Sequence, residues 1–203
     1  MAIITIGREF GSGGHEIGEI LAKKLNIPFY DKEILSKAAE DSGLCPEVFE
    51  HHDEKAGLST LLGGSAHVGG ISGSVSYGIT VPISQQVFLA QFDAITKFAQ
   101  SGDCVIVGRC SNYVLRDFTD AVHVFFYAGI EKRVERIMRL RNLSENDARD
   151  LIRKTDKQRK SYYNFFANGN WGQRQNYSLM VCTDGLKPEL AADLIIAYVN
   201  ARA

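Results

Sequence analysis

The sequence lacks an excess of charge of either sign. Its 203 residues carry 23 Lys and Arg against 24 Asp and Glu, which is a formal net charge of −1 at pH 7. Such a chain has no overall basic field with which to attract polynucleotides or a membrane surface. We therefore expect no nucleic acid and no membrane among its partners, and any basic site must be local.

Cysteine motifs and long apolar runs are also missing. The four cysteines form no CxxC pair and no zinc-ligand spacing, which favours buried free thiols over a redox or metal site. No apolar run approaches the roughly 18 residues of a membrane-spanning helix, and the first strand begins at residue 2 without the segments of a signal peptide. These absences predict a cytoplasmic protein.

The N-terminal segment contains an apolar strand, a glycine-rich turn and an amphipathic helix. Gly11, Gly13 and Gly14 follow the strand at 3–6, and apolar residues then recur at helical spacing. Glycines let successive backbone N–H groups converge, and the helix N-terminus adds positive potential, which suits a phosphate. The nucleotide motif G-x-x-x-x-G-K-[ST] nevertheless fails, because Gly14 stands at its lysine position. A phosphate-binding turn and a plain strand-to-helix connection both remain open.

Apolar strands alternate with helical patterns along the rest of the chain. We expect strands near 27–31, 104–107, 121–127 and 177–182, and helices near 32–40, 84–101, 130–141, 144–166 and 189–201. This alternation predicts a single α/β domain with three layers, α/β/α, around a mostly parallel sheet. Between residues 43 and 82 the sequence is rich in glycine and serine, which predicts a flexible insertion.

Polar residues mark the ends of the expected strands. Gly7-Arg8, Asp31, Gly108-Arg109 and Thr183-Asp184 each follow an apolar run. Ligands of parallel sheets bind at the carboxyl ends of the strands, so these residues are expected on one rim. Asp31 can also serve as the cap of the helix that follows it.

A basic cluster lies at 149–163, where six lysines and arginines occur within fifteen residues. One interpretation is a solvated, salt-bridged helix face. The other is a cationic lid, since phosphoryl transfer requires positive charge around the transferred oxygens. The aromatic residues and the single tryptophan that follow the cluster favour the lid.

Five stretches of the sequence occur in an order and at a spacing that identify a protein family more specifically than any single stretch does. They are IITIGREFGSGGHEIG at 3–18, IPFYDKE at 27–33, CVIVGRC at 104–110, TDKQRKSYYNFF at 155–166 and WGQRQNYSL at 171–179. Together they span nearly the whole chain. On these stretches the sequence resembles the cytidylate kinase-like family of P-loop nucleotide kinases.

The resemblance implies a P-loop kinase-like domain with a core at 1–42, 83–135 and 175–203, an acceptor-side insertion at 43–82 and a lid at 136–174. It implies transfer of the terminal phosphoryl group of ATP to a nucleoside monophosphate, with cytidylate the first choice. The expected ligands are small-molecule nucleotides and Mg²⁺, whose protein ligands the sequence does not indicate. A homodimer is compatible with the sequence.

The resemblance also assigns roles to individual residues. It implies that the donor phosphates are bound by Gly11, Ser12, Gly13, Gly14 and His15. The catalytic cations are Arg8, Arg153, Lys157 and Arg159. The acceptor contacts are Tyr30, Asp31 and Arg109, and Thr183 and Asp184 lie near the donor base. Because the loop lysine is absent, a nucleotide-binding protein without transfer activity remains an alternative. Because the insertion at 43–82 is long and unlike a compact monophosphate site, a kinase for another small acceptor is the other alternative.

Overall fold

A computed structural model describes residues 2–52, 82–167 and 169–202 of the chain. The strands are β1 Ile3–Arg8, β2 Phe29–Tyr30, β3 Cys104–Val107, β4 Ala121–Tyr127 and β5 Leu179–Cys182. The helices are α1 Gly14–Leu25, α2 Glu33–Ser42, α3 Pro46–His52, α4 Ile83–Gln100, α5 Ser111–Val114, α6 Ile130–Arg141, α7 Glu145–Phe166 and α8 Pro188–Arg202. A short 3-10 helix covers Arg174–Asn176.

The five strands form one sheet in the order β2-β3-β1-β4-β5, and every neighbouring pair is parallel. β1 therefore lies at the centre, between β3 and β4, and its carboxyl end opens onto both neighbours. This arrangement confirms the predicted three-layer fold with a parallel sheet.

Both faces of the sheet are covered, because successive residues of a strand point to opposite sides. Ile3 packs with α2 and α4 on one face, whereas Ile4 and Ile6 pack with α1 and α8 on the other. Every residue of β3 is buried, as expected for a central parallel strand. The two cores hold the carboxyl ends of the strands in fixed positions.

α6 and α7 form a hairpin that packs against the loop after β1. Val134 and Ile137 of α6 meet Ala148 and Ile152 of α7, and Phe10 packs against this cluster. The hydroxyl of Ser144 accepts a hydrogen bond from the N–H of Asp147 at 3.2 Å and so caps the start of α7. The hairpin thus brings the basic cluster to the glycine-rich turn.

Part of the predicted insertion is folded. α3 lies within 43–82, and the side chain of Phe49 is completely buried against α2 and α4. The prediction of a flexible segment was therefore wrong for its first residues, because one buried aromatic ring anchors a short helix. The remainder, 53–81, lies outside the described residues.

The prediction of buried thiols was half right. Cys104 and Cys110 are buried, whereas Cys45 and Cys182 are exposed. Cys182 ends the edge strand β5, where only one neighbour covers it. Burial raises the pKa of the Cys104 thiol to about 12, which keeps it protonated. Among the described helices, none is long and apolar enough to cross a membrane.

Candidate functional site

The turn between β1 and α1, which we call the glycine loop (residues 9–13), has the backbone of an anion-binding loop. Gly11 and Gly13 have φ of +84° and +86°, a left-handed conformation that favours glycine. Gly13 is the N-cap residue of α1. The buried hydroxyl of Thr183 donates to the Ser12 carbonyl at 2.8 Å and so ties the loop to the end of β5.

Four backbone donors are available, two in the loop and two at the start of α1, whereas the N–H groups of Glu9 and Phe10 donate to the Phe126 carbonyl and to Asp156. The N–H of Ser12 donates to the Glu9 carbonyl at 3.2 Å. Across the described ranges, the N–H groups of Gly11, Gly13, Gly14 and His15 donate no hydrogen bond. A row of such amides beside a helix N-terminus is suited to an anion.

α7 meets the glycine loop directly. One carboxylate oxygen of Asp156 accepts the N–H of Phe10 at 2.7 Å, and the other oxygen pairs with Arg133. The Arg159 guanidinium donates to the Arg8 carbonyl at 3.3 Å and lies 5.6 Å from the centre of the Phe10 ring. The basic cluster and the loop therefore lie on the same side of the molecule.

The three predicted cations of this helix have different surroundings. Arg159 faces the loop, as described, whereas Arg153 pairs with Asp150 at 2.8 Å and its side chain is 79% exposed. Lys157 is exposed as well. The catalytic roles of Arg153 and Lys157 stay predictions.

An arginine-lined recess, which we call the arginine cleft, lies at the carboxyl ends of β1 and β3. Three arginines and three tyrosines line it, namely Arg8, Arg109, Arg159, Tyr162, Tyr163 and Tyr177. Its floor is polar, since Asn112 donates to the Tyr163 hydroxyl at 2.9 Å. The cleft presents positive charge and aromatic surface, and its cavity volume of about 20 Å³ is room for about one water molecule.

Asp31 connects the cleft to the glycine loop. Its carboxylate accepts from Arg109 Nη1 at 2.7 Å, and its other oxygen lies 3.1 Å from His15 Nε2. Burial alone would raise the pKa of Asp31, but the His15 hydrogen bond and the Arg109 charge outweigh it and hold that pKa well below its usual range. The same bond to Asp31 raises the pKa of His15. Asp31 does not cap α2, whose N-cap residue Lys32 makes no side-chain cap bond.

Tyr30, the third predicted acceptor residue, is oriented differently. Its ring stacks on that of Phe98, with 3.8 Å between centroids, and packs against the α2–α4 core. Tyr30 is not among the residues that line the arginine cleft. Its role as an acceptor contact stays a prediction.

A second recess, which we call the α6 groove, borders the glycine loop at Gly11. It has a volume of about 350 Å³, and its walls include Gly11, Lys132, Arg136, Arg139, Thr183 and Asp184. Both carboxylate oxygens of Asp184 accept the N–H of Gly129 at 3.0 Å, which fixes the start of α6. The fold therefore places Thr183 and Asp184 beside the loop, and the carboxylate of Asp184 is hydrogen-bonded to the backbone N–H of Gly129.

The carboxylates around the loop do not form a ready site for Mg²⁺. Glu16, Asp31 and Asp156 each pair with an arginine. Glu9 accepts the Ala128 N–H at 3.2 Å, and burial raises its pKa. The part of the chain that the structure describes contains no cluster of three His, Cys, Asp or Glu able to hold a metal ion.

The absence of the loop lysine has a steric explanation. A Cβ atom at Gly14 would lie 2.8 Å from Cβ of Arg8 and 3.1 Å from the Phe126 ring. The stem of Arg8 therefore occupies the space from which a lysine at position 14 would extend.

Sequence reasoning missed the residues of α6 that contact the loop. A Cβ at Gly11 would lie 3.1 Å from the Arg133 Cβ, and a Cβ at Gly13 would lie 2.7 Å from Arg136 Nη1. The spacing of three places Arg133 and Arg136 on one face of a helix. That spacing was visible, but the sequence does not indicate that this face turns towards the loop.

The comparisons with known proteins agree with this architecture. A crystal structure of an uncharacterized protein from Eubacterium ventriosum ATCC 27560 superposes with a TM-score of 0.74 at 29% identity, covering 98% of this chain and 99% of that one. Shikimate kinase from Bacteroides thetaiotaomicron superposes with a TM-score of 0.55 at 14% identity, covering 98% of each chain, which is a likeness of fold.

A curated relative, uronate isomerase from Corynebacterium glutamicum, is 32% identical over 98 residues, which are 48% of this chain. The match spans only 19% of that protein's length. In contrast, the model of the cytidylate kinase-like family matches residues 3–185. The chain therefore belongs to the cytidylate kinase-like family.

Proposed function

We propose that the chain is an ATP-dependent phosphotransferase of the nucleoside monophosphate kinase type, with cytidylate as its acceptor. One observation carries the proposal: two cationic recesses border the turn after β1, with Gly11 in the wall of the α6 groove and Arg8 in the wall of the arginine cleft. In-line phosphoryl transfer requires a donor and an acceptor on opposite sides of the transferred group. The two recesses would supply those two sides.

The open amides of Gly11, Gly13, Gly14 and His15 would bind the donor phosphates, with the triphosphate extending from the α6 groove. Thr183 and Asp184 in the wall of this groove would lie near the donor base. Arg8 and Arg159 would then face the transferred phosphoryl group from the arginine cleft. Positive charge oriented in advance stabilises the transition state without further reorganisation.

The acceptor phosphate would bind to Arg109, whose side chain is 3% exposed and held by Asp31. An arginine fixed in this way loses little freedom when it binds a phosphate. Mg²⁺ is expected to enter as its complex with ATP. Since the nearby carboxylates are paired with arginines, we assign no protein ligand to it and no step depends on one.

A second candidate function, transfer to a small acceptor other than a nucleotide, is supported by Asp31. Its carboxylate offsets part of the charge of Arg109, which weakens the attraction for an acceptor phosphate. A carboxylate in this position could instead accept a hydrogen bond from an acceptor hydroxyl. Nucleotide binding without transfer is the third candidate, supported by the glycine at position 14.

The test is ADP formation by the purified full chain, with ATP, Mg²⁺ and each nucleoside monophosphate in turn. We expect ADP formation that depends on the acceptor and is fastest with cytidylate. Arg159→Met should lower the rate at least tenfold, because it removes a cation next to the transferred group. Lys154→Met, which removes a cation on an exposed part of the same helix, should leave the rate unchanged.

The alternatives give different results. Saturable ATP binding in a thermal-shift assay without ADP formation for any acceptor would favour the protein without transfer activity. ADP formation only with a hydroxylic small molecule would favour the second candidate. If Arg159→Met and Lys154→Met lowered the rate equally, the role of the arginine cleft would be wrong.

A further inference from the structure

The guanidinium group of Arg136 lies on the glycine loop. A Cβ atom at Gly13 would be 2.7 Å from Nη1, 2.9 Å from Cζ and 3.1 Å from Nη2 of Arg136. The side chain is 19% exposed and forms part of the wall of the α6 groove. A fixed positive charge therefore lies next to the open backbone amides, on the donor side of the loop.

Arg136 also has a weakly held partner. Its Nη1 donates to Glu16 in the first turn of α1 at 2.7 Å, and the Glu16 side chain is 54% exposed. An ion pair with one partner exposed to this degree contributes little to stability, since water screens it. A phosphate, with more oxygens and more charge, can displace this carboxylate from the guanidinium.

Arg8, another arginine next to the loop, belongs to the arginine cleft. It lines that cleft and not the α6 groove, and its charge acts on Asp31 and His15. Arg133 also contacts the loop, through the Phe10 carbonyl, but it does not line the α6 groove. Among the arginines that the structure describes, Arg136 alone combines contact with the loop and a position in that groove.

We propose that Arg136 supplies the donor-phosphate charge that a loop lysine would supply, and that Glu16 holds it on the loop until a triphosphate displaces the carboxylate. This inference rests on the donor-side part of the proposed function. It explains how the loop can hold glycine at position 14, where the stem of Arg8 leaves no room for a lysine. An arginine suits this position because its planar fork can bind phosphate oxygens in pairs.

Calorimetric titration with ATP, ADP and adenosine tests the proposal on the full chain. Arg136→Met should weaken ATP binding at least tenfold and leave adenosine binding within twofold, and Arg136→Lys should recover part of the loss. Glu16→Gln should tighten ATP binding, because it removes the competing carboxylate. Arg141→Met, a matched change at an exposed arginine of the same helix, should bind ATP as the unmodified chain does.

The opposite effects of Arg136→Met and Glu16→Gln distinguish a ligand from a structural ion pair. Both variants break the same pair, so a purely structural role would shift ATP affinity in the same direction in both. That result, or unchanged ATP affinity in Arg136→Met, would overturn the inference while the proposed transfer could still be observed. If the unmodified chain did not bind ATP, the proposed function and the inference would both fall.

Discussion

Replacing Asp31 by asparagine should destabilise the fold more than its position near the surface suggests. The change removes the charge that faces Arg109, whose side chain is only 3% exposed, while that of Asp31 is 16% exposed. Removing one partner of a buried ion pair costs about 3–5 kcal/mol, because the other charge stays buried without compensation. Arg109 keeps its bond to the Val107 carbonyl at 3.3 Å, so we expect the lower end, about 3 kcal/mol.

This free energy can be measured by urea unfolding followed by far-UV circular dichroism at pH 7. A loss of about 3 kcal/mol corresponds to a change of roughly 150-fold in the unfolding equilibrium, and to about 6–12 °C in Tm for a chain of this size. The denaturant slope should not change, because the same surface is exposed on unfolding.

The pH dependence supplies an independent check. The folded-state pKa of Asp31 lies below the unfolded value of 3.8, so its contribution is present above that pH and is lost as the pH falls through the folded-state value. Asp31→Asn and the unmodified chain should therefore differ most near neutrality and converge in acid.

Two controls make the prediction refutable. Asp150→Asn breaks an ion pair with Arg153 in which both side chains are more than 70% exposed, and it should cost less than about 0.5 kcal/mol. The double variant Asp31→Asn with Arg109→Met should be more stable than Asp31→Asn alone, because no charge stays buried. If Asp31→Asn cost no more than Asp150→Asn, the assignment of a buried pair would be wrong.

Three further predictions concern the glycine loop and its supports. Gly14→Ala should lower stability by about 1–3 kcal/mol and weaken ATP binding, because its Cβ would lie 2.8 Å from the stem of Arg8; urea unfolding and calorimetry measure the two effects. His15→Asn should lose more stability at pH 6 than at pH 9. The bond to Asp31 raises the folded-state pKa of His15 above 6.5, so its contribution, about 0.5 kcal/mol for a half-exposed pair, is complete below pH 6.5 and is lost as the pH rises; Tm against pH measures it. Thr183→Val should cost about 1–2 kcal/mol in urea unfolding, because it leaves a loop carbonyl without its 2.8 Å hydrogen bond.

Each of these has a result that would contradict it. Gly169→Ala, where a Cβ would lie 3.6 Å from its nearest neighbour, should be tolerated, and equal losses for Gly14→Ala and Gly169→Ala would refute the steric argument. A stability loss in His15→Asn that grew with pH would reverse the sign assigned to its bond. Full stability of Thr183→Val would show that the loop does not depend on the end of β5.

Much of the architecture follows from local patterns. The continuous apolar run of β3 predicted a buried strand, and the glycines after β1 predicted a turn before a helix. These patterns report secondary structure because side chains repeat every two residues in strands and every 3.6 in helices. The sequence did not predict α3, because the buried ring of Phe49 does not by itself form a repeating pattern of apolar residues.

The sequence by itself determined the strands, the longer helices, the edge of the sheet at which Arg8, Asp31, Arg109 and Thr183 lie, and the family. Only the tertiary structure decided which charges are neighbours: Asp31 with Arg109 and His15, and Arg136 with the glycine loop. The physical reason is that periodicity specifies which face of an element is apolar, whereas the partner of a charged side chain depends on how separate elements pack. This packing alone brings Nη1 of Arg136 within 2.7 Å of a carboxylate oxygen of Glu16, which is far away in the sequence.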